Sequence, residues 1–157
     1  MAVYESVQMN KDKAHVVPEV RLRTLLCVED NPGNLKLIEL FMTRRPDLHL
    51  LTAVNGKSGL ETAWVSRPEV IVMDINLPDI SGFKALEMLR ADPATAHIPV
   101  IALSANTQPI NVESGLEAGF FRYLTKPVQF NEFMNTLDLA LAHAEKHAAR
   151  KETKGQQ

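Results

Sequence analysis

The chain has 157 residues, 45% of them hydrophobic and 23% charged, with a formal net charge of -2. This describes one globular domain with a real core, and it excludes a general electrostatic attraction to nucleic acid. A single cysteine, Cys27, excludes an intramolecular disulfide and a cysteine-rich zinc site, and no apolar run is long enough to span a membrane.

Residues 1–22 scatter Glu5, Asp12 and Glu19 among apolar side chains. They lack the apolar stretch and cleavage site of a signal peptide and are read as a flexible arm, and the expected compartment is the reducing cytoplasm. From Thr24 onward, short apolar runs alternate with amphipathic stretches. The predicted strands are Thr24–Val28, His49–Val54, Val70–Met73, Val100–Leu103 and Phe120–Leu124. Their near-continuous Val, Ile, Leu and Phe content suits strands covered on both faces. Cys27, inside the first, reads as a small core residue.

Five helices are predicted between and after these strands. Asn31 caps the first, Pro32 takes a first-turn position, and Leu35, Ile38, Leu40, Phe41 and Met42 follow near helical spacing. Arg44-Arg45-Pro46 should end it, with cations at the negative end of the dipole. Asn55 caps the second, with Leu60, Ala63 and Trp64 inward. Ser81 caps the third, with Phe83, Leu86 and Leu89 inward, and Asp92-Pro93 ends it. The fourth, about Pro109–Glu117, is weakly specified, with Gly115 inside and Gly119 after it. The last places Phe133, Leu137, Ala140, Leu141 and Ala144 on one face. The basic segment 146–157 is either a frayed continuation of that helix or a flexible tail.

This (βα)5 alternation predicts an α/β fold: a parallel sheet with helices on both faces. In such doubly wound sheets, ligands sit beyond the carboxyl ends of the strands. Those ends carry Glu29 and Asp30, Asn55, Asp74, Ser104 and Lys126. Three acids and one lysine at strand ends suit metal-assisted phosphoryl chemistry. Taken alone, Glu29-Asp30 would read as a solvated helix start, Ser104 as a plain strand-end serine, and Lys126 as a surface lysine.

Together the motifs say more. Val28-Glu29-Asp30-Asn31-Pro32, Met73-Asp74-Ile75-Asn76-Leu77-Pro78, Leu103-Ser104-Ala105 and Tyr123-Leu124-Thr125-Lys126-Pro127 resemble the receiver domain of two-component response regulators. The resemblance covers roughly residues 23–145, and its phrasing is closest to receivers of hybrid sensor histidine kinases. It implies a flavodoxin-like sheet of order 2-1-3-4-5. It implies Asp74 as phosphoacceptor from a phosphohistidine donor, and Mg²⁺ held by Asp30, Asp74, the backbone carbonyl of Asn76 and, through water, Glu29. Ser104 and Lys126 would contact the phosphoryl group, and a cis Lys126–Pro127 bond would turn the ammonium inward. Ser104 and Tyr123 would form the switch, while Asn76 and Asn106 would flank the phosphoryl group. Such a protein is not a classical enzyme, since it catalyses only its own phosphorylation and dephosphorylation. Its implied partners are a histidine kinase or histidine phosphotransfer domain, and a second copy or an effector protein on the face of the fourth helix, fifth strand and fifth helix. Neither nucleic acid nor membrane is expected.

One departure stands out: the acid expected beside the loop glycine is Ser81, and an acid appears instead at Asp79. Little chemical effect is expected from it. Three other readings compete. A flavodoxin-like cofactor module wants a hydroxyl- and glycine-rich phosphate loop after the first strand, where Glu29-Asp30 stands. An aspartate-nucleophile phosphohydrolase wants a second aspartate two residues after Asp74, where Asn76 stands. A receiver-like scaffold would work without phosphorylation, and an intact acid–lysine set argues against it.

Overall fold

The computed structural model describes residues 22–105 and 109–155. The predicted arm, apart from Leu22, and Asn106 lie outside the described residues. Five strands and five helices alternate: β1 (Arg23–Val28), α1 (Pro32–Met42), β2 (Leu48–Ala53), α2 (Gly56–Ser66), β3 (Val70–Asp74), α3 (Gly82–Ala91), β4 (Val100–Ser104), α4 (Pro109–Ala118), β5 (Arg122–Thr125) and α5 (Phe130–Gly155). The sheet is parallel with order β2-β1-β3-β4-β5, as expected.

The strand period of two sorts the core into two layers. Leu25, Cys27, Val70, Val72, Ile101 and Leu103 face α1 and α5, meeting Ile38, Met42, Phe133 and Leu137. Leu26, Val28, Ile71, Met73, Val100 and Ala102 face the other way, meeting Leu60 and Ala63 of α2 and Leu86 and Leu89 of α3. Burial on both faces is why these strands lack polar alternation. The three predicted caps are formed: the side chains of Asn31, Asn55 and Ser81 accept from the N–H groups of Asn34, Ser58 and Lys84 at 3.0, 2.8 and 3.1 Å.

Several expectations need correcting. Arg44 and Arg45 do not close α1, which ends at Met42 with Thr43 as its cap. Arg45 reaches instead to Asp47 and to Asp138 of α5, with shortest contacts of 3.0 and 2.9 Å. Phe83 is not inward. The inward stripe of α3 is Ala85, Leu86 and Leu89, and Phe83 stays 36% exposed, edge-on to Phe120 at 5.5 Å. β5 starts at Arg122, two residues late, because Phe120 turns into the α3 layer. Of the two readings of the segment after 145, the described residues follow the helical one, and α5 runs to Gly155. Its Ala148-Ala149-Arg150-Lys151 stretch is made of strong helix formers.

Gly115 also has a different role from the one its propensity suggests. It is buried in α4, and a Cβ built there would lie 2.6 Å from Cδ2 and 2.9 Å from Cε2 of Tyr123. The missing side chain is therefore a seat for the Tyr123 ring. Gly115→Ala should push the ring out of that seat. The expected cost is about 1–3 kcal/mol of stability from overpacking, read by urea denaturation together with a shift in the Tyr123 ring resonances. An unchanged ring spectrum would count against the seat.

Candidate functional site

Parallel pairing brings the ends of β1, β3 and β4 to one edge. Asp74 ends β3 opposite Leu103, and Ser104 ends β4 opposite Thr125. The Lys126 N–H then donates to the Ser104 carbonyl at 2.9 Å, which sets the lysine beside the same edge. The Lys126–Pro127 peptide is cis.

Four charged side chains meet there. One carboxylate oxygen each from Glu29, Asp30 and Asp74 lies within 4.8 Å of the others. The Lys126 ammonium is 3.0 Å from Glu29 Oε1 and 3.0 Å from Asp74 Oδ2. Glu29 and Asp74 are buried, whereas Asp30 is exposed and faces water. Backbone N–H groups orient the buried pair: Asn31 donates to Glu29 Oε2 at 3.1 Å, and Asn76 to Asp74 Oδ1 at 2.9 Å.

The electrostatics follow from burial. Loss of water raises the Glu29 carboxyl above its ordinary value; Lys126 and the Asn31 N–H oppose this, and the Asp74 charge adds to it. Burial also works against the Lys126 ammonium, but its bond to Asp74 and its ion contact with Glu29 outweigh that and hold it above its ordinary value. Cys27 is pushed far up by burial first and by Glu29 second. It stays a thiol, consistent with a core role.

A divalent cation fits the donor set. Glu29 Oε1 has an ion contact to Lys126 but no aligned hydrogen bond, so a buried anionic oxygen keeps acceptor capacity. Carboxylate oxygens with one exposed member suit a hard cation that retains waters, such as Mg²⁺.

The loop after Asp74 is held at both ends. The Gly82 N–H donates to the Ile75 carbonyl at 2.7 Å. A Cβ at Gly82 would stand 2.8 Å from the Asp74 carbonyl oxygen, so only glycine lets the chain close here. Asp79, expected to matter little, accepts from the N–H groups of Gly56 and Lys57 at 2.7 and 2.8 Å. It caps α2 from a neighbouring loop and fastens the segment carrying Asn76 to that helix. Those N–H bonds, led by Lys57, hold the Asp79 carboxyl below its ordinary value. An acid in a loop gives no sign of a partner 22 residues away, so sequence alone could not find this.

Of the expected site residues, Glu29, Asp30, Asp74 and Lys126 converge through their side chains. Ser104 and Asn76 adjoin them through backbone bonds. Tyr123 is half-buried on β5, and its ring is seated on α4.

An open α/β sheet of order β2-β1-β3-β4-β5 with an acidic cluster and one lysine at its carboxyl edge is the architecture of a receiver domain. The model of the response regulator receiver domain matches residues 25–138, and the chain belongs to that family. It is 38% identical over 106 residues to the transcriptional regulatory protein AfsQ1 of Streptomyces coelicolor, covering 68% of this chain and 45% of that protein. It is 32% identical over 122 residues to the polar-differentiation response regulator DivK of Brucella anthropi, covering 78% of this chain and 98% of DivK. The chain thus spans less than half of one relative and nearly all of the other. Among solved structures, the receiver domain of sensor histidine kinase PA1611 from Pseudomonas aeruginosa PAO1 superposes with a TM-score of 0.70 and 31% identity. The match covers 78% of this chain and 99% of that one, whose structure has a magnesium ion coordinated in the active-site cleft. Receiver domains act with histidine kinases and phosphotransfer proteins in two-component signalling. Among the described residues, no helix is long and apolar enough to cross a membrane.

Removing the lysine should expose the strain in the acid pair. Lys126→Met is expected to lower metal-free stability by about 3 kcal/mol at neutral pH. The sign with pH follows from Glu29. Its folded value is raised, so its contribution is favourable below the unfolded value and is lost as pH rises through the folded one. The deficit of Lys126→Met should therefore shrink on acidification, as measured by urea denaturation across pH. A deficit that grows toward acid would contradict this reading.

Proposed function

We propose that this receiver accepts a phosphoryl group on Asp74 from a phosphohistidine donor in an Mg²⁺-dependent step. The observation that carries the reading is the Lys126 ammonium held 3.0 Å from both buried carboxylates, beside a third acid open to water. An Asp74 carboxylate oxygen attacks the phosphorus as the phosphorus–nitrogen bond to the donor imidazole breaks, and the imidazole leaves with that electron pair. Asp30 and Asp74, the Asn76 carbonyl, and Glu29 through water would hold the metal. Bound there, Mg²⁺ offsets the charge spreading over the phosphoryl oxygens. Lys126 stabilises the same oxygens, exchanging its Asp74 contact for one with the phosphoryl group. Ser104, at the end of β4, accepts the role of hydroxyl donor to that group.

The output in this reading is a population shift at α4, β5 and α5. In this reading, movement of Ser104 toward the phosphoryl oxygens is coupled to α4, which carries the Gly115 seat of Tyr123. The ring position and the α4 position are thus linked, and a ligand shifts such a pair only by its differential affinity for the two states. The partner on the input side is a histidine kinase or phosphotransfer domain. On the output side it is a second copy or an effector protein, in the cytoplasm.

Acetyl phosphate with Mg²⁺ should add one phosphoryl group, detected by intact-mass spectrometry. Asp74→Ala should show no addition, and chelation of the metal should reduce labelling of the wild type by at least about tenfold. Equal labelling of wild type and Asp74→Ala would refute the assignment.

A further inference from the structure

At the opposite edge of the sheet, where β3 and β4 begin, a second charged cluster plays no part in this chemistry. The His97 and His147 rings stack with centroids 4.4 Å apart and planes 8° from parallel. His97 sits on a turn that is itself fixed: Arg90 donates to the Ala96 and Ile98 carbonyls at 3.0 and 2.8 Å, and the Thr95 hydroxyl to the Leu89 carbonyl at 2.7 Å. His147 comes from the extended part of α5. Beside the stack lies a cavity of about 170 Å³ that includes Arg67 and Lys151 in its wall. A second cavity, of about 440 Å³, shares both rings and Lys151 with the first and adds Pro93 and Arg150.

The charges around this stack are unbalanced. Among the described residues, Arg67, Arg150 and Lys151 have no hydrogen bond or ion pair through their side chains. The acid in the smaller cavity, Glu69, already accepts from the Thr24 N–H and hydroxyl through Oε1. Asp92, at the end of α3, accepts from the Ala94 N–H at 2.8 Å. Arg67 closes α2 in a left-handed conformation, φ 46°, a cap position at which glycine is the usual residue. The cap geometry does not require its side chain, and Arg67 is part of the cavity wall.

We propose that this edge binds a small polyanion carrying two or more phosphate-like groups, seated between Arg67 and Lys151 against the His97–His147 pair. Volume and charge select the ligand class. The smaller cavity is below the roughly 300–1,000 Å³ of organic-ligand pockets. It holds about five or six water volumes at ~30 Å³ each, which suits a diphosphate group rather than a folded segment. Several unpaired cations around it favour more than one negative charge. The larger cavity leaves room for the rest of the ligand.

A pH signature follows. Burial first, then His147, Lys151 and Arg90, hold His97 below its ordinary value. The other charged groups facing the cluster are Arg67 and Glu69 from the α2–β3 connection and Arg150 from α5. A bound anion offsets the cations and favours the imidazolium, so binding tightens as pH falls through the histidine range.

The test uses the full chain without divalent metal, with pyrophosphate as the probe. Ethanedisulfonate, whose charge is constant near neutrality, serves for the pH comparison. The expected result is saturable binding, with NMR shifts centred on the His97 and His147 rings. Ethanedisulfonate should bind at least about threefold tighter near pH 6 than near pH 8. Arg67→Gln with Lys151→Gln should weaken pyrophosphate by at least about tenfold at an unchanged unfolding midpoint, and His97→Gln with His147→Gln should remove the pH dependence. Asp74→Ala should bind as wild type does, which separates this site from the phosphoryl chemistry. Non-saturating shifts spread over the surface, shifts centred on Lys126, equal affinity in the double variant, or no pH dependence would each overturn the proposal.

Discussion

The structure depends on one electrostatic arrangement: a lysine ammonium shared by two carboxylates that the fold has removed from water. Glu29 and Asp74 are buried at the ends of adjacent strands, and each lies 3.0 Å from Lys126. Two carboxylates so placed repel each other and lose hydration, and the ammonium offsets both costs. One cation for three acids leaves the cluster short of positive charge. That deficit, more than any single contact, makes the edge receptive to a metal ion.

The rest of the fold holds this arrangement in register. Parallel pairing fixes where β1, β3 and β4 end, and continuous apolar strands buried on both sides keep that register from slipping. The loop after Asp74 is closed by Gly82 and tied to α2 by Asp79, so Asn76 rests on two anchors. Tyr123 lies one strand away, in a seat that exists because Gly115 has no side chain. The site is therefore braced on its α2 and α3 side.

What the sequence made legible was local or collective. Asn31, Asn55 and Ser81 were readable as caps because a cap bonds within three residues of itself. The strands were readable because five apolar runs of similar length allow few other folds, and the acid–lysine set because four motifs fall at four strand ends. What escaped depends on distant partners. Arg45 is not a dipole cation, because Asp138 of α5 stands within reach of it. Phe83 stays partly exposed, with its ring set edge-on to the buried Phe120 on the approach to β5. Gly115 reads as a helix weakener until the Tyr123 ring is placed beside it. Asp79 reads as a displaced acid until α2 is seen to start beneath it. None of these follows from periodicity, since each is set by which elements the sheet order makes neighbours.

The central claim is that Lys126 serves the metal-free cleft as a counter-ion and the phosphorylated cleft as a phosphoryl ligand. The most direct measurement is a crystal structure of the chain with Mg²⁺ and beryllofluoride. The expected result is the adduct on Asp74, metal density among Asp30, Asp74 and the Asn76 carbonyl, and the Lys126 ammonium moved from Asp74 Oδ2 to a fluoride. An adduct elsewhere, or Lys126 still 3.0 Å from Asp74 Oδ2 with the adduct in place, would contradict it.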